Sequence, residues 1–138
     1  MIFWDSSALV PLLSQQPRSP HAHALIAGDQ EMVVWWGSAI ECASALARLE
    51  REGWLDGPSS RASRMLLTEL SASWFEIQPS APLRDQAMRL LRLHSLRAAD
   101  ALQLAAAIEW AGAPRGGVFA CYDDRLREAA EREGFTTP

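Results

Sequence analysis

Residues 97–111 constrain the fold most. Ala98, Ala99, Ala101, Leu102, Leu104, Ala105, Ala106, Ala107 and Ile108 cover nearly the whole circumference of one helix. A helix apolar all round has no face to offer water, so it belongs inside a core. At 138 residues the chain is long enough to build that core and reads as one domain, residues 1–138. Short apolar runs surround the helix in sequence: 2–4, 32–35, 74–77 and 118–122. None alternates apolar with polar, as a strand with one wet face would. Strands of this kind, separated by helices, indicate an α/β chain with a mainly parallel sheet covered on both sides. Phe135-Thr136-Thr137 offers a short edge strand, so four to five strands are expected.

The remaining helices follow from apolar spacing. One starts near Ser6 and buries Ala8, Leu9, Leu12 and Leu13; a short one covers His21 to Ala27, after a loop from Gln15 to Pro20. A long one from Ser38 carries Ile40, Ala43, Leu46 and Ala47, and one opening at Gly57-Pro58-Ser59 carries Ala62, Met65 and Leu66 as its stripe. Pro82 to His94 is amphipathic, and Asp124 to Arg132 closes at Gly134.

Four acids sit at strand-to-helix junctions or in first helical turns: Asp5, Glu41, Asp100 and Asp123. In a parallel sheet with right-handed crossovers these junctions share one edge, where ligands bind. Each acid alone has a plainer explanation. Asp5 and Asp123 suit helix N-caps. Ser38-Ala39-Ile40-Glu41 fits a capping box, and Asp100 stands where a helix dipole favours negative charge. Two considerations favour a shared role. Asp100 lies on the most apolar helix, where an unpaired buried carboxylate costs several kcal/mol, roughly; Arg97 or a cation is its candidate partner. All four acids also map to one edge, where independent caps would scatter. Oxygen donors without histidine or cysteine suit Mg²⁺ or Mn²⁺ rather than zinc.

Composition narrows the classes. No apolar run approaches the roughly 20 residues of a membrane span, and Met1 runs straight into a strand-like segment without a basic leader, so a cytoplasmic protein with no membrane role is expected. Net charge of −4 argues against binding nucleic acid through overall charge. Local basic surface remains open, and every one of the 13 Lys and Arg positions is arginine. Cys42 and Cys121 form neither a disulfide framework nor a zinc spacing. His21, His23 and His94 have no ligand spacing with the acids and read as structural or solvated.

The acid-bearing segments resemble those of the PIN-domain nucleases, and specifically the VapC-like toxins of bacterial toxin–antitoxin pairs. Phe3-Trp4-Asp5-Ser6-Ser7-Ala8-Leu9-Val10 is similar to the family's opening strand and first acid, and Ser38 to Leu46 to its helix-borne acid. Leu96-Arg97-Ala98-Ala99-Asp100-Ala101-Leu102-Gln103 and onward to Ala107 is the most specific match. Tyr122-Asp123-Asp124-Arg125-Leu126 is similar to the closing motif. The chain departs from the family at Cys121, where serine or threonine is usual, and at Asp124, where a basic or neutral residue is usual.

The resemblance implies a three-layer α/β/α PIN-like fold and endonucleolytic cleavage of RNA with Mg²⁺ or Mn²⁺. It implies that Asp5, Asp100 and Asp123 hold the metal directly, with Glu41 acting through water or a second ion. Ser6 and Ser7 would support an acid or a phosphate, or cap the helix. Arg97 and Arg125 would contact phosphates, or serve as ion-pair partners. A cognate antitoxin, whose arginine could enter the acid cluster, and a homodimer are also implied. The alternative is a catalytically inactive PIN-like module that binds protein or RNA. A phosphotransfer domain is disfavoured, because Asp5-Ser6-Ser7 lacks an Asp-x-Asp pair and the chain has no lysine.

Overall fold

The structure is a computed structural model that describes residues 1–112 and 116–138. Its elements are β1 (Ile2–Trp4), α1 (Ser6–Leu13), α2 (Ser19–Gly28), β2 (Met32–Trp35), α3 (Ser38–Arg51), α4 (Gly57–Ser71), β3 (Phe75–Ile77), α5 (Ala81–Leu93), α6 (Ala98–Ala111), β4 (Val118–Ala120) and α7 (Asp124–Arg132). The four strands are all parallel, in the order β3-β2-β1-β4. A single parallel bridge between Val118 and Thr136 is what the C-terminal segment adds.

Strand residues alternate between two cores. Phe3, Val33, Trp35 and Phe119 face α5, α6 and α7, packing with Leu83, Leu90, Leu104 and Leu126. Ile2, Trp4, Met32, Val34 and Ala120 face α1 to α4, packing with Leu9, Cys42 and Leu46. Both sets are apolar, which is why β1, β2 and β4 carry no polar alternation; the edge strand β3 differs, with Phe75 and Glu76 exposed. The result is the expected three-layer α/β/α arrangement.

Chain order runs outward from β1 to β2 to β3 and returns on the other side as β4. The order therefore reverses between β1 and β4, and the crevice beyond their C-terminal ends is where such sheets bind ligands. The register pairs Trp4 with Ala120, so Asp5 emerges beside Cys121.

Several expectations change. The stripe assigned to α4 is outside: Met65 is 64% exposed and Leu66 is also exposed, while Ser60 and Ser63 are buried. Small serines allow α4 to approach α3 closely, and the Ser60 hydroxyl donates to Glu50 at 2.6 Å. Ile40 of α3 is 72% exposed. α2 starts at Ser19, with Pro20 in its first turn rather than in a loop. Among the described residues no helix is long and apolar enough to cross a membrane.

Candidate active site

Asp5 is the one residue between β1 and α1, and only 3% of it is exposed. Its N–H donates to the Ala120 carbonyl at 2.9 Å, fixing it against β4. Its Oδ2 accepts the Ser7 N–H at 2.9 Å and the Ser7 hydroxyl in a shorter contact. Ser7 Oγ in turn accepts the Tyr122 N–H at 2.9 Å. One hydroxyl thus joins α1, the first acid and the end of β4. The Cys121 thiol, at 3.7 Å from the same oxygen, is a weak donor, so the Ser7 hydroxyl is the main side-chain donor to Asp5.

Glu41 stands in the first turn of α3. The tight entry to that helix requires Gly37, where a Cβ would lie 2.5 Å from Trp35 Nε1. The capping box does not form: the cap position is Gly37, with no side-chain cap bond. Glu41 Oε2 instead accepts the Ser6 hydroxyl at 2.8 Å and the Gln103 amide at 3.2 Å.

Asp100 occupies the first turn of α6, where its Oδ2 accepts the Arg97 N–H at 3.4 Å. It is half-buried rather than buried. The apolar circumference of α6 begins one residue later, at Ala101, so the deeply buried acid is Asp5. Asp123 is exposed and caps α7, its Oδ1 accepting the Leu126 N–H at 2.9 Å.

Capping and clustering therefore coexist. Each acid uses one oxygen to accept hydrogen bonds from the protein. Among the described residues no hydrogen bond reaches the other: Oδ1 of Asp5, Oε1 of Glu41, Oδ1 of Asp100 and Oδ2 of Asp123. All four acids line one cleft of about 760 Å³ with Ser6, Ser7, Arg48 and Arg97.

The acids feel one another. Burial pushes the Asp5 carboxyl up from 3.8 to about 6, against the Ser7 bonds, and Glu41 and Asp100 push it further. Burial also raises Glu41, with Asp100 adding to it while Ser6 and Gln103 oppose. Asp100 is raised by burial first and by Asp123 in addition. Burial is the main cause in all three, and the neighbouring acids add to it.

A hard divalent cation fits the donor chemistry: four carboxylates, each with one uncommitted oxygen, and no nitrogen or sulfur ligand among them. The set is open as it stands. Among the described residues no group of three or more His, Cys, Asp or Glu side chains is gathered to hold an ion.

Arg97 lines both this cleft and an adjoining hollow of about 620 Å³ that also holds Tyr122, Asp124 and Arg125. Among the described residues neither Arg97 nor Arg125 forms a side-chain ion pair. The histidines stand apart from the acids: His21 Nδ1 meets the Tyr122 hydroxyl at 2.7 Å, and His94 Nε2 meets Glu133 at 2.8 Å. Gln103, buried beneath Glu41, escaped the sequence reading, as did Arg48. The available signal was a lone amide on an otherwise apolar helix, three residues after an acid.

The fold is a parallel α/β sheet with four carboxylates lining the cleft at its switch point, and the sequence identifies its family. The pattern of the PIN domain family matches residues 2–132, and the chain belongs to that family. Over 134 residues it is 31% identical to Ribonuclease VapC45 and to Ribonuclease VapC49, from two strains of Mycobacterium tuberculosis, covering 97% of this chain and 92% of each relative. Among solved structures, Mycobacterium tuberculosis VapC20, a sarcin-ricin loop cleaving toxin, superposes with a TM-score of 0.68 at 19% identity, over 94% of this chain and 95% of that one. A toxin-antitoxin complex from Klebsiella pneumoniae gives 0.67 at 17% identity, over 100% and 98%. These structures share the fold.

Proposed function

We propose that this chain is an endoribonuclease and the toxin of a toxin–antitoxin pair, hydrolysing RNA phosphodiester bonds with Mg²⁺ or Mn²⁺. The observation that carries the reading is the uncommitted oxygen that each of Asp5, Glu41, Asp100 and Asp123 keeps around one cleft. The relatives' names as ribonucleases support it.

Asp5, Asp100 and Asp123 would hold the ion, and Glu41 would act through water or a second ion. When bound, the ion neutralises charge on the phosphoryl oxygens and makes the attacking water more acidic. Glu41 Oε1, the oxygen that Ser6 and Gln103 leave to the cleft, would be placed to accept a proton there as general base. Arg97 and Arg125 bind the flanking phosphates, with guanidinium groups that match phosphate oxygens in pairs. Ser7 keeps Asp5 oriented, and Ser6 does the same for Glu41. An antitoxin partner is inferred from the toxin-antitoxin complex among the fold neighbours. A homodimer suits the exposed Met65 and Leu66 of α4, and a single cytoplasmic domain fits this role.

Purified chain incubated with total cellular RNA and millimolar Mg²⁺ or Mn²⁺ tests the reading. Cleavage is expected, lost in EDTA and in Asp100→Asn with the fold intact by circular dichroism. Inert wild-type protein refutes it. The alternative is a non-catalytic binding module, and a Mn²⁺ titration with no measurable binding would decide for it.

A further inference from the structure

Gln103 is fully buried, at 0% exposure, in the middle of α6, whose other buried residues are all alanine or leucine. A buried amide is costly unless its donors and acceptor are matched. Here they are. Nε2 donates to Ser38 Oγ at 3.0 Å and to Glu41 Oε2 at 3.2 Å, and Oε1 accepts from Ser38 Oγ at 3.4 Å. Only one amide orientation is compatible with this arrangement. Reversing it would set the amide oxygen against a carboxylate oxygen, two acceptors with no hydrogen between them.

The contact also bridges the layers. α3 packs on one face of the sheet through Cys42 and Leu46, and α6 on the other through Ala101 and Leu104. Gln103 joins them past the end of β2. It stands three residues after Asp100, on the same face of α6. Its position therefore links the placement of Asp100 to that of Glu41. Because Gln103 and Ser6 both donate to Oε2 of Glu41, Oε1 is the oxygen left to the cleft.

We propose that Gln103 is a positioning residue: through its amide it fixes which oxygen Glu41 presents to the divalent-ion site and how far Glu41 stands from Asp100. The proposal rests on the nuclease reading above. A neutral amide suits the task. An arginine or lysine at this depth would neutralise Glu41 and compete with the ion, and a carboxylate would add to the repulsion. A hydrocarbon of similar shape would satisfy α6 packing without the amide's desolvation cost, so packing alone gives no reason for glutamine.

The test is Mn²⁺ affinity by titration calorimetry for wild type, Gln103→Met, Glu41→Gln and the double variant. Gln103→Met keeps volume but leaves the buried Ser38 hydroxyl without its amide partner, so its unfolding midpoint is expected modestly below the wild-type value with the fold retained. Its Mn²⁺ affinity is expected to fall about 10-fold, the low end of what removing a residue that orients a metal site's carboxylates costs. kcat on RNA falls with it, while KM for RNA stays within about 2-fold, since no phosphate contact is touched. In the Glu41→Gln background the same substitution should produce no further loss, because the carboxylate it serves is gone. Equal losses in both backgrounds, or wild-type Mn²⁺ affinity in Gln103→Met, overturn the proposal. Ser38→Ala, which removes the amide's other partner, gives a second reading if Gln103→Met folds poorly: weakened Mn²⁺ binding supports the proposal and unchanged binding refutes it. A wild-type chain that binds no Mn²⁺ overturns the nuclease reading and this inference together. Wild-type binding and cleavage with an unaffected Gln103→Met overturns this inference alone.

Discussion

Replacing Asp5 by Asn should make the metal-free protein more stable while destroying the site. The folded carboxyl titrates at about 6 against an ordinary 3.8, with burial as the main cause. Below about pH 4 the group is protonated in both the folded and the unfolded chain, and it contributes no difference. Between about pH 4 and pH 6 the unfolded chain releases the proton while the folded chain retains it, so folding is progressively opposed. Above about pH 6 the folded carboxyl ionises too, and the full cost is present, about 3 kcal/mol for a shift of about two units. At pH 4.5 the same arithmetic leaves about 1 kcal/mol. Asparagine avoids the cost, and its side-chain oxygen can still accept the Ser7 N–H, so the cap survives.

For 138 residues the unfolding entropy is about 0.3 kcal/mol per kelvin, and about 3 kcal/mol corresponds to roughly 10 °C in Tm. Differential scanning calorimetry in EDTA should find Asp5→Asn more stable by up to about that amount at pH 7.5, and by roughly a third of it at pH 4.5. Saturating Mn²⁺ should reverse the order. Wild type gains about 2.7 kcal/mol at a hundredfold excess over Kd, and a variant that has lost a ligand gains far less. An Asp5→Asn protein that is no more stable than wild type at pH 7.5 in EDTA refutes the reasoning. So does a gain that does not shrink with acid.

Three further outcomes follow from the same geometry. Ser7→Ala removes a donor to Asp5 and orphans the Tyr122 N–H; it should cost about 2 kcal/mol in urea unfolding, and a cost near zero refutes the junction role. Burial pushes both Cys42 and Cys121 well above the usual thiol range, so Ellman's reagent should label neither in the folded chain and both in denaturant; fast labelling of the folded chain contradicts this. Arg97→Ala and Arg125→Ala should each raise KM for RNA about 5- to 10-fold with kcat nearly unchanged, and should flatten the dependence of KM on salt; unchanged KM in both removes the arginines from the substrate path.

The layered fold was legible because its cause is local. Phe3, Val33 and Phe119 alternate with Trp4, Val34 and Ala120 on strands that are apolar on both faces, and that pattern has few solutions besides a doubly covered parallel sheet. Element bounds blurred where tertiary contacts override pattern. α4 turns Ser60 and Ser63 inward because a close approach to α3 needs small side chains, a demand that no hydrophobic stripe advertises. The four acids could be placed at one edge from topology alone, but their burial could not be ranked. An apolar helix suggested that Asp100 was the deep one. Depth is set instead by what lies over a residue, and α6 begins at the cleft, whereas Asp5 is enclosed between two strand ends and α1. Side-chain direction was also out of reach. Ser38 and Glu41 had the spacing of a capping box, and the competing partner that drew both away, Gln103, lies sixty-five residues from Ser38 on another layer. Local motifs name the bond a residue can make with its own helix. They are silent on a better-placed partner across the sheet, and at this site each carboxylate divides its two oxygens between the protein scaffold and the open cleft.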